Sequence, residues 1–266
     1  MRNDFIKLLK DRGYTYELRK DGLVIHHQGG VNLDSLKALP EGIKFENQGG
    51  VYLGSLKVLP EGIKFENQGY VDLESLKALP EGIKFENQGG VYLNSLKVLP
   101  EGIKFENRGS VYLGSLDGKK VNYLGKNISL KQIDGETMIV RSQKKRGEFT
   151  VYKAEFFKGS ECAKEFCYVA ERKGFYAHGE SIKKAIEDCN FKWMCENLNL
   201  DDVIEKIKKD GFVTVPDYRL ITGACQYGCD SFLENNGIKK DKFTIEEAIK
   251  LTKESWGGSK FAEELT

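Results

Sequence analysis

Apolar and polar residues follow a 20-residue period over the first half of the chain. The segment Leu-Pro-Glu-Gly-Ile-Lys-Phe-Glu-Asn starts at Leu39 and recurs at Leu59, Leu79 and Leu99. Within each copy, apolar residues alternate with polar or small ones, which is the period of a half-buried β-strand. Proline and glycine between these runs supply turns. Each repeat therefore predicts one coil that holds two short strands and two turns.

Coils of identical length predict a β-solenoid, in which each strand pairs in parallel with its equivalents about 4.8 Å away. Stacking also aligns identical side chains in columns. A lysine column should lie beside a glutamate column and offset its charge: Lys44, Lys64, Lys84 and Lys104 beside Glu46, Glu66, Glu86 and Glu106. A third column is expected to form an internal amide ladder at a turn: Asn47, Asn67, Asn87 and Asn107.

The residues before the first full repeat predict a helical N-terminal cap. Asp4 to Asp11 places Phe5, Ile6, Leu8 and Leu9 on one stripe and is followed by Gly13, which is typical of a helix end. Tyr14 to Ile25 predicts a hairpin that turns at Asp21-Gly22. We expect the cap and the solenoid to occupy residues 1–130.

The outward strand positions vary most between copies and are the candidate binding residues. One column reads Asn32, Tyr52, Asp72, Tyr92 and Tyr112, and the next reads Asp34, Gly54, Glu74, Asn94 and Gly114. Tyrosine buries a large area at low entropic cost, so tyrosines among small and acidic residues are good interface anchors. The candidate site is Asn32, Tyr52, Asp72, Tyr92, Tyr112, Glu74 and Asn94. The alternative is a surface that has drifted without selection.

The pattern changes near Lys131, and residues 131–266 predict a C-terminal α+β domain. Strands are expected over 132–140 and 149–157, joined by a basic turn from Arg141 to Gly147, and in a hairpin over 167–178. Four amphipathic helices are expected after Ser181, from Asp202, after Thr222 and after Thr244.

Charge and composition exclude several classes of protein. The 41 basic and 40 acidic side chains balance, so there is no global attraction to nucleic acid or anionic lipid. No apolar run approaches the roughly 20 residues that cross a bilayer, and the charged N-terminus does not resemble a signal peptide. All six cysteines lie in the second half. Free thiols in a reducing compartment are the simplest interpretation, so a cytoplasmic location is expected.

Three chemical hypotheses remain for the second half. Cys225 is expected in the first turn of a helix, where its thiol pKa would fall, with His178 as its base. The six cysteines and His178 are candidate zinc ligands, although no Cys-x-x-Cys pair occurs. Arg141, Lys144, Lys145 and Arg146 are candidate phosphate contacts. Each has a structural alternative: a buried cysteine, free thiols and a solvated hairpin tip. No cofactor is expected.

The repeat, Leu-Pro-Glu-Gly-Ile-x-Phe-x-Asn-x-Gly-x-Val-x-Leu, resembles the short leucine-rich, solenoid-forming repeats of tailed-phage and prophage proteins. Asn47 follows Phe45 by two residues instead of three, which favours a flatter β-solenoid over a horseshoe with helices. The second half resembles an uncharacterised module that often follows such repeats. This likeness is carried by four segments: residues 176–179, 185–188, 218–225 and 256–258. Neither resemblance implies a defined activity.

A long solenoid surface and little recognisable chemistry predict a protein-binding scaffold. The resemblance to phage proteins implies an accessory protein that inhibits a host protein, such as a bacterial defence factor, in the host cytoplasm. The alternatives are a cysteine-dependent enzyme that uses Cys225 with His178, a nucleic-acid binder, and a purely structural or assembly role. They differ in measurable ways: selective alkylation of Cys225, steep salt dependence of affinity, and self-association.

Overall fold

The computed structural model describes residues 2–20, 22–160, 164–224 and 226–266. The chain divides into two compact units. The first comprises residues 1–171 and 176–186, and the second comprises residues 172–175 and 187–266. The helices are α1 (Arg2–Asp11), α2 (Ile182–Asn197), α3 (Leu200–Asp210), α4 (Val215–Thr222), α5 (Gln226–Asn235), α6 (Ile245–Thr252) and α7 (Gly258–Leu265), with a short 3₁₀ helix at Gly114–Leu116.

The repeats form a β-solenoid of about four turns, as their period predicts. The first eleven strands are β1 (Tyr16–Arg19), β2 (Gly22–Ile25), β3 (Val31–Asn32), β4 (Ile43–Phe45), β5 (Val51–Tyr52), β6 (Lys64–Phe65), β7 (Val71–Asp72), β8 (Lys84–Phe85), β9 (Val91–Tyr92), β10 (Lys104–Phe105) and β11 (Val111–Tyr112). One sheet has the order β1-β2-β4-β6-β8-β10 and the other β11-β9-β7-β5-β3. Strands from successive coils pair in parallel, with each residue beside its equivalent 20 positions away. The predicted hairpin is present, since β1 and β2 are antiparallel.

Inside the coils, equivalent apolar side chains stack into a continuous core. Phe45, Phe65, Phe85 and Phe105 are almost fully buried, and successive rings are parallel with centroids 5.5 Å apart. Val and Leu from the opposite sheet meet these rings, for example Val71 and Leu73, both fully buried. Burial of one such aromatic ring contributes about 3 kcal/mol, so the repeated core is the main source of solenoid stability.

Two glycines in each coil are required by backbone geometry. Gly62, in the Pro-Glu-Gly turn, has φ +70°, a conformation in which glycine is strongly favoured. Gly69, at the other turn, lies against the previous coil. A Cβ there would lie 2.4 Å from the nitrogen of Gly50, a separation that no side chain tolerates.

The asparagine column is fully buried, as predicted, but its hydrogen bonds run to backbone carbonyls instead of from amide to amide. Asn67 is representative: its Nδ2 donates to the carbonyls of Gly49, Gly69 and Tyr70 at 3.0, 3.0 and 3.2 Å. Gly49 belongs to the preceding coil, so the side chain ties two coils together. Each Oδ1 of the column is buried and has no partner among the described residues.

Segments on both sides of the repeats extend the solenoid core. Phe5 and Leu9 of α1 are buried in the same apolar cluster as the first coil. After the last coil, Phe157 is buried at 2% exposure, with its ring centroid 5.6 Å from that of Phe105. The backbone hydrogen bonds that join successive coils also continue here: Val111 N donates to the Phe157 carbonyl at 2.8 Å. The segment around Phe157 therefore takes the place of a further coil.

A six-stranded sheet follows the solenoid along the chain, and the bounds of several of its strands differ from the predicted ones. It is formed by β12 (Lys120–Tyr123), β13 (Lys126–Ile133), β14 (Glu136–Arg146), β15 (Phe149–Phe156), β16 (Phe166–Arg172) and β17 (Phe175–Gly179), in that order. The strand predicted over 132–140 is wrong, because the chain turns at Asp134-Gly135, both with positive φ. The basic turn predicted from Arg141 is also wrong: β14 continues to Arg146, and Gly147 makes the turn. The predicted 167–178 hairpin is confirmed.

The second unit is mainly helical around its own apolar core. The expected helices after Ser181 and Thr244 and near Asp202 are present as α2, α6 and α3, and α5 follows Thr222 as expected. Two further helices, α4 and α7, went unpredicted from the sequence, as did the two-stranded sheet of β18 (Phe212–Thr214) and β19 (Lys242–Thr244). Phe261 of α7 is fully buried and packs on Tyr218 of α4.

None of the described helices is long and apolar enough to span a membrane.

Candidate functional site

The predicted binding residues are neighbours on the outer face of one solenoid sheet. Parallel pairing places Asn32 beside Tyr52, Tyr52 beside Asp72, Asp72 beside Tyr92 and Tyr92 beside Tyr112. The three tyrosines and Asp72 are half-buried, and Asn32 is exposed. The alternation of β-strands thus directs one residue per coil to a single surface, which we call the tyrosine face.

Four tyrosine rings form an unbroken row along this face. The centroids of Tyr52 and Tyr70 are 5.0 Å apart, those of Tyr70 and Tyr92 are 5.7 Å apart, and both pairs meet edge to face. Tyr92 and Tyr112 are stacked, with a centroid distance of 4.4 Å. Edge-to-face and stacked pairs are the favoured geometries of aromatic rings, so the row is pre-organised.

Tyr70 is a member of the site that the sequence prediction missed. It occupies the turn position at which neighbouring coils have Gly50 and Gly90, and its ring fills the gap that Asp72 makes in the tyrosine column. The ring lies directly over Gly50, where a Cβ would be 3.2 Å from it. The signal that could have revealed it is the substitution of tyrosine for glycine in an otherwise repeated turn.

Acidic and amide side chains border the tyrosine row. The oxygens of Asp34 and Asp72 approach Gly54 from both sides: a Cβ on Gly54 would be 3.3 Å from each carboxylate. Asp34 accepts a 2.6 Å hydrogen bond from Gly54 N, and Asn94 Nδ2 donates to Glu74 Oε1 at 3.2 Å. None of the three acids, Asp34, Asp72 and Glu74, forms a salt bridge with another described residue.

The electrostatics of this face follow from burial and from repulsion between its acids. Burial raises the pKa of the Asp72 carboxyl, and the charges of Glu74 and Asp34 raise it further, against a backbone hydrogen bond from Glu74 that lowers it. Burial raises the pKa of Tyr70 to about 12, helped by Tyr52. The Tyr70 hydroxyl is therefore neutral at physiological pH, and the charges of the central part of the face come from its acids, while the Arg12 guanidinium is held at the Asn32 end by hydrogen bonds to Asn32 O and Ser35 Oγ.

At each end of the tyrosine face, one residue is hydrogen-bonded to a residue outside the repeats. The Tyr112 hydroxyl donates to Glu136 at 3.3 Å, and burial followed by that carboxylate raises the Tyr112 pKa to about 12. At the other end, the Tyr14 hydroxyl accepts from Asn32 N at 2.9 Å. Tyr112 and Asn32 therefore help to hold the ends of the solenoid, and Tyr52, Tyr70 and Tyr92 form the central part of the face.

The opposite sheet carries balanced charges instead. Lys44 bridges Glu46 and Glu66 at 2.7 and 2.8 Å, and these hydrogen bonds raise its pKa. Glu46 has a lowered pKa, chiefly through its hydrogen bond with Lys44. This confirms at Lys44 the predicted offset between the lysine and glutamate columns. The two sheets of the solenoid thus differ in character: one has ion pairs at its N-terminal end, around Lys44, and the other carries the tyrosine row and acids that form no salt bridge among the described residues.

Of the two catalytic candidates, only His178 is among the described residues. Cys225 lies outside the described residues. His178 Nδ1 is 2.9 Å from Asp134 Oδ2, and its ring packs edge to face on Phe156. Burial raises the pKa of the Cys167 thiol to about 11 and also raises that of Cys195, which is opposite to what a nucleophile requires. The Cys225–His178 enzyme stays a prediction.

The metal and nucleic-acid hypotheses gain no assembled site in the described residues either. No group of three His, Cys, Asp or Glu side chains there has the geometry to hold a metal ion. Cys162, like Cys225, lies outside the described part. Arg141 pairs with the buried Glu155, while Lys144, Lys145 and Arg146 are exposed along β14. Nucleic-acid binding through these residues stays a prediction.

No protein-family model, curated protein or solved structure matches this chain.

Proposed function

We propose that this protein is a binding scaffold that holds a protein partner on its tyrosine face. The observation that supports the proposal is the unbroken row of Tyr52, Tyr70, Tyr92 and Tyr112, half-exposed and in mutual contact across four coils. Tyrosine rings already held by neighbours lose little conformational entropy on binding, and such residues dominate binding free energies.

The charges of the face favour a partner segment with lysine or arginine side chains. The charges of Asp34 and Glu74 repel that of Asp72, and none of the three forms a salt bridge among the described residues, so a partner's cation would relieve that repulsion. A guanidinium or ammonium group would also gain from the faces of the neighbouring tyrosine rings. Unpaired, partly buried acids lower the stability of the free protein, which is typical of positions kept for binding.

Finer features belong to the same proposal. We infer that the repeat is of the leucine-rich type found in phage proteins and that α1 acts as the N-terminal cap of the solenoid. In this hypothesis the protein is an accessory factor that acts in the host bacterial cytoplasm by inhibiting a host protein, such as one of a defence system. These inferences rest on the repeat motif and on the apolar residues of α1.

The test is affinity capture from bacterial lysate with quantitative mass spectrometry, followed by binding measurements with the purified partner. The test variant combines Tyr52→Ala, Tyr70→Ala and Tyr92→Ala. The matched control combines Val58→Ala and Val98→Ala, which removes apolar surface at 68% and 62% exposed positions elsewhere on the same coils. Since hot-spot side chains contribute about 2 kcal/mol or more each, affinity should fall at least about 30-fold in the test variant only.

A charge variant separates the aromatic and acidic contributions. Asp34→Asn with Asp72→Asn and Glu74→Gln should slow association and reduce its dependence on salt, because electrostatic steering acts mainly on the association rate. Circular dichroism and thermal unfolding establish that each variant is folded. Retention of the partner by the folded tyrosine variant would overturn the proposal, and so would the capture of no specific partner by the wild type.

A further inference from the structure

The second unit contains a pocket of about 600 Å³ between α4, α5 and α6, which is independent of the tyrosine face. Val213 of β18 and Phe243 of β19 line it and belong to the buried core of the unit. Trp256 also lines the pocket and is 70% exposed, so it lies at the opening. A volume of this size falls within the range of roughly 300–1,000 Å³ that is typical of small-molecule sites.

Small residues at the helix junction leave the space open. Gly223 ends α4 in the left-handed conformation, with φ +77°, and the chain then leads into α5. Ala224, Gly228 and Ala248 line the pocket together with Gly223, so four positions around it carry at most a methyl group. The pocket thus results from helix-end geometry and from residue size within one unit.

The pocket lining offers a ligand no charged group and few available polar groups. None of the described residues that line it is charged. Its hydroxyl groups are mostly occupied by the chain itself: Tyr218 donates to the Trp256 carbonyl at 2.6 Å, Thr252 donates to the Ala248 carbonyl at 2.8 Å, and Thr214 donates to Asp217 at 2.6 Å. Among the described lining hydroxyls, only that of Ser255, which is half-exposed, has no hydrogen bond to another described residue.

These features decide which occupant suits the pocket. An ordered water needs two to four polar partners, and a charged ligand would be desolvated without a counter-ion. We propose that the pocket binds an uncharged, largely hydrocarbon small molecule with at most one hydrogen-bonding group. Trp256 would cover the exposed end of that molecule, and Ser255 would meet its single polar group.

Fluorescence titration with N-phenyl-1-naphthylamine, an uncharged aromatic probe, tests the proposal on the full-length chain. The chain has two tryptophans, so Trp193→Phe leaves Trp256 as the only intrinsic reporter. The probe should bind saturably at one site, change Trp256 emission and raise the unfolding temperature, because it binds the native state. The related probe 8-anilinonaphthalene-1-sulfonate carries a charge and should bind at least about tenfold more weakly.

Ala224→Phe, which inserts a ring into the pocket, should weaken binding of the uncharged probe by at least about tenfold. Ala262→Phe is the matched control in α7, since Ala262 is half-buried in the same unit but does not line the pocket. If Ala224→Phe fails to fold, Leu251→Trp replaces it, because Leu251 lines the pocket and is partly exposed. Non-saturable binding, equal binding of the two probes, or full binding by a folded pocket variant would each overturn the proposal.

Discussion

Asp72 occupies a position in the solenoid that disfavours the ionised form of its carboxyl group. It stands between Tyr52 and Tyr92 in its column, and burial and two like charges raise its pKa above the ordinary 3.8. A carboxyl group whose pKa is raised by folding binds its proton more tightly in the native state. The wild type should therefore lose stability as pH rises through the interval from 3.8 to that raised value.

We accordingly expect Asp72→Asn to raise the free energy of unfolding at pH 7, with the gain shrinking as the pH falls from the raised pKa to 3.8 and vanishing below 3.8. Asparagine retains an oxygen for the 3.0 Å hydrogen bond from Glu74 N, so the backbone contact is preserved. Urea unfolding at several pH values measures the difference. Asp241→Asn, at an exposed position of the other unit, is the control. A gain that does not depend on pH would contradict the electrostatic explanation.

At the scale of the element, the asparagine column joins the coils through its side-chain donors. Each Nδ2 reaches carbonyls in two successive coils, whereas each Oδ1 is left without a partner among the described residues. Stability at these turns should therefore depend on the NH₂ group alone.

Asn67→Asp keeps the shape of the side chain but removes the donors and turns an oxygen towards the carbonyls of Gly49 and Gly69. We expect it to lower the free energy of unfolding at pH 7 by about 3 kcal/mol or more, because a buried charge is left uncompensated. Gln68→Glu makes the same chemical change at the next, exposed residue and should cost less than about 0.5 kcal/mol. Urea unfolding compares the two, and equal effects would exclude the proposed role of the donors.

At the scale of the whole molecule, the described residues form separate apolar cores in the two units. The larger core runs from Phe5 to Phe157 and includes every coil, and another extends from Val203 to Leu265. Because each core is built from residues of its own unit, the two units should differ in local stability.

Phe261→Ala removes a fully buried ring from the helical core and should destabilise that unit by about 3–5 kcal/mol. Hydrogen exchange read by mass spectrometry should show faster exchange in α3, α4 and α7 and unchanged protection in the solenoid strands. Ala262→Phe, at the neighbouring half-buried position, leaves the core ring in place. A uniform loss of protection along the chain would mean that the protein unfolds as one cooperative unit.

Prediction from the sequence succeeded in the repeats, because the local apolar pattern and the long-range strand pairing there have the same 20-residue period. It failed where a local turn competed with an apolar run. The strand predicted through Asp134-Gly135 spans a hairpin turn, since apolar residues continue on both sides of it. The pattern of apolar residues does not predict helix α4, because a proline usually interrupts a helix. Pro216 instead lies in the first turn, where proline is tolerated, and Thr214 and Asp217 form a capping box around it.

The sequence by itself determined the solenoid, the side chains in each column and the inward-facing core. The reason is that a coil of constant length can pair with its neighbours only in the register that places equivalent residues side by side. Only the tertiary structure decided how Tyr70 completes the aromatic row, how Phe157 follows the last coil and where small residues open the pocket. Those features depend on distances between side chains that lie outside the repeat or differ from it, and no periodicity encodes such distances.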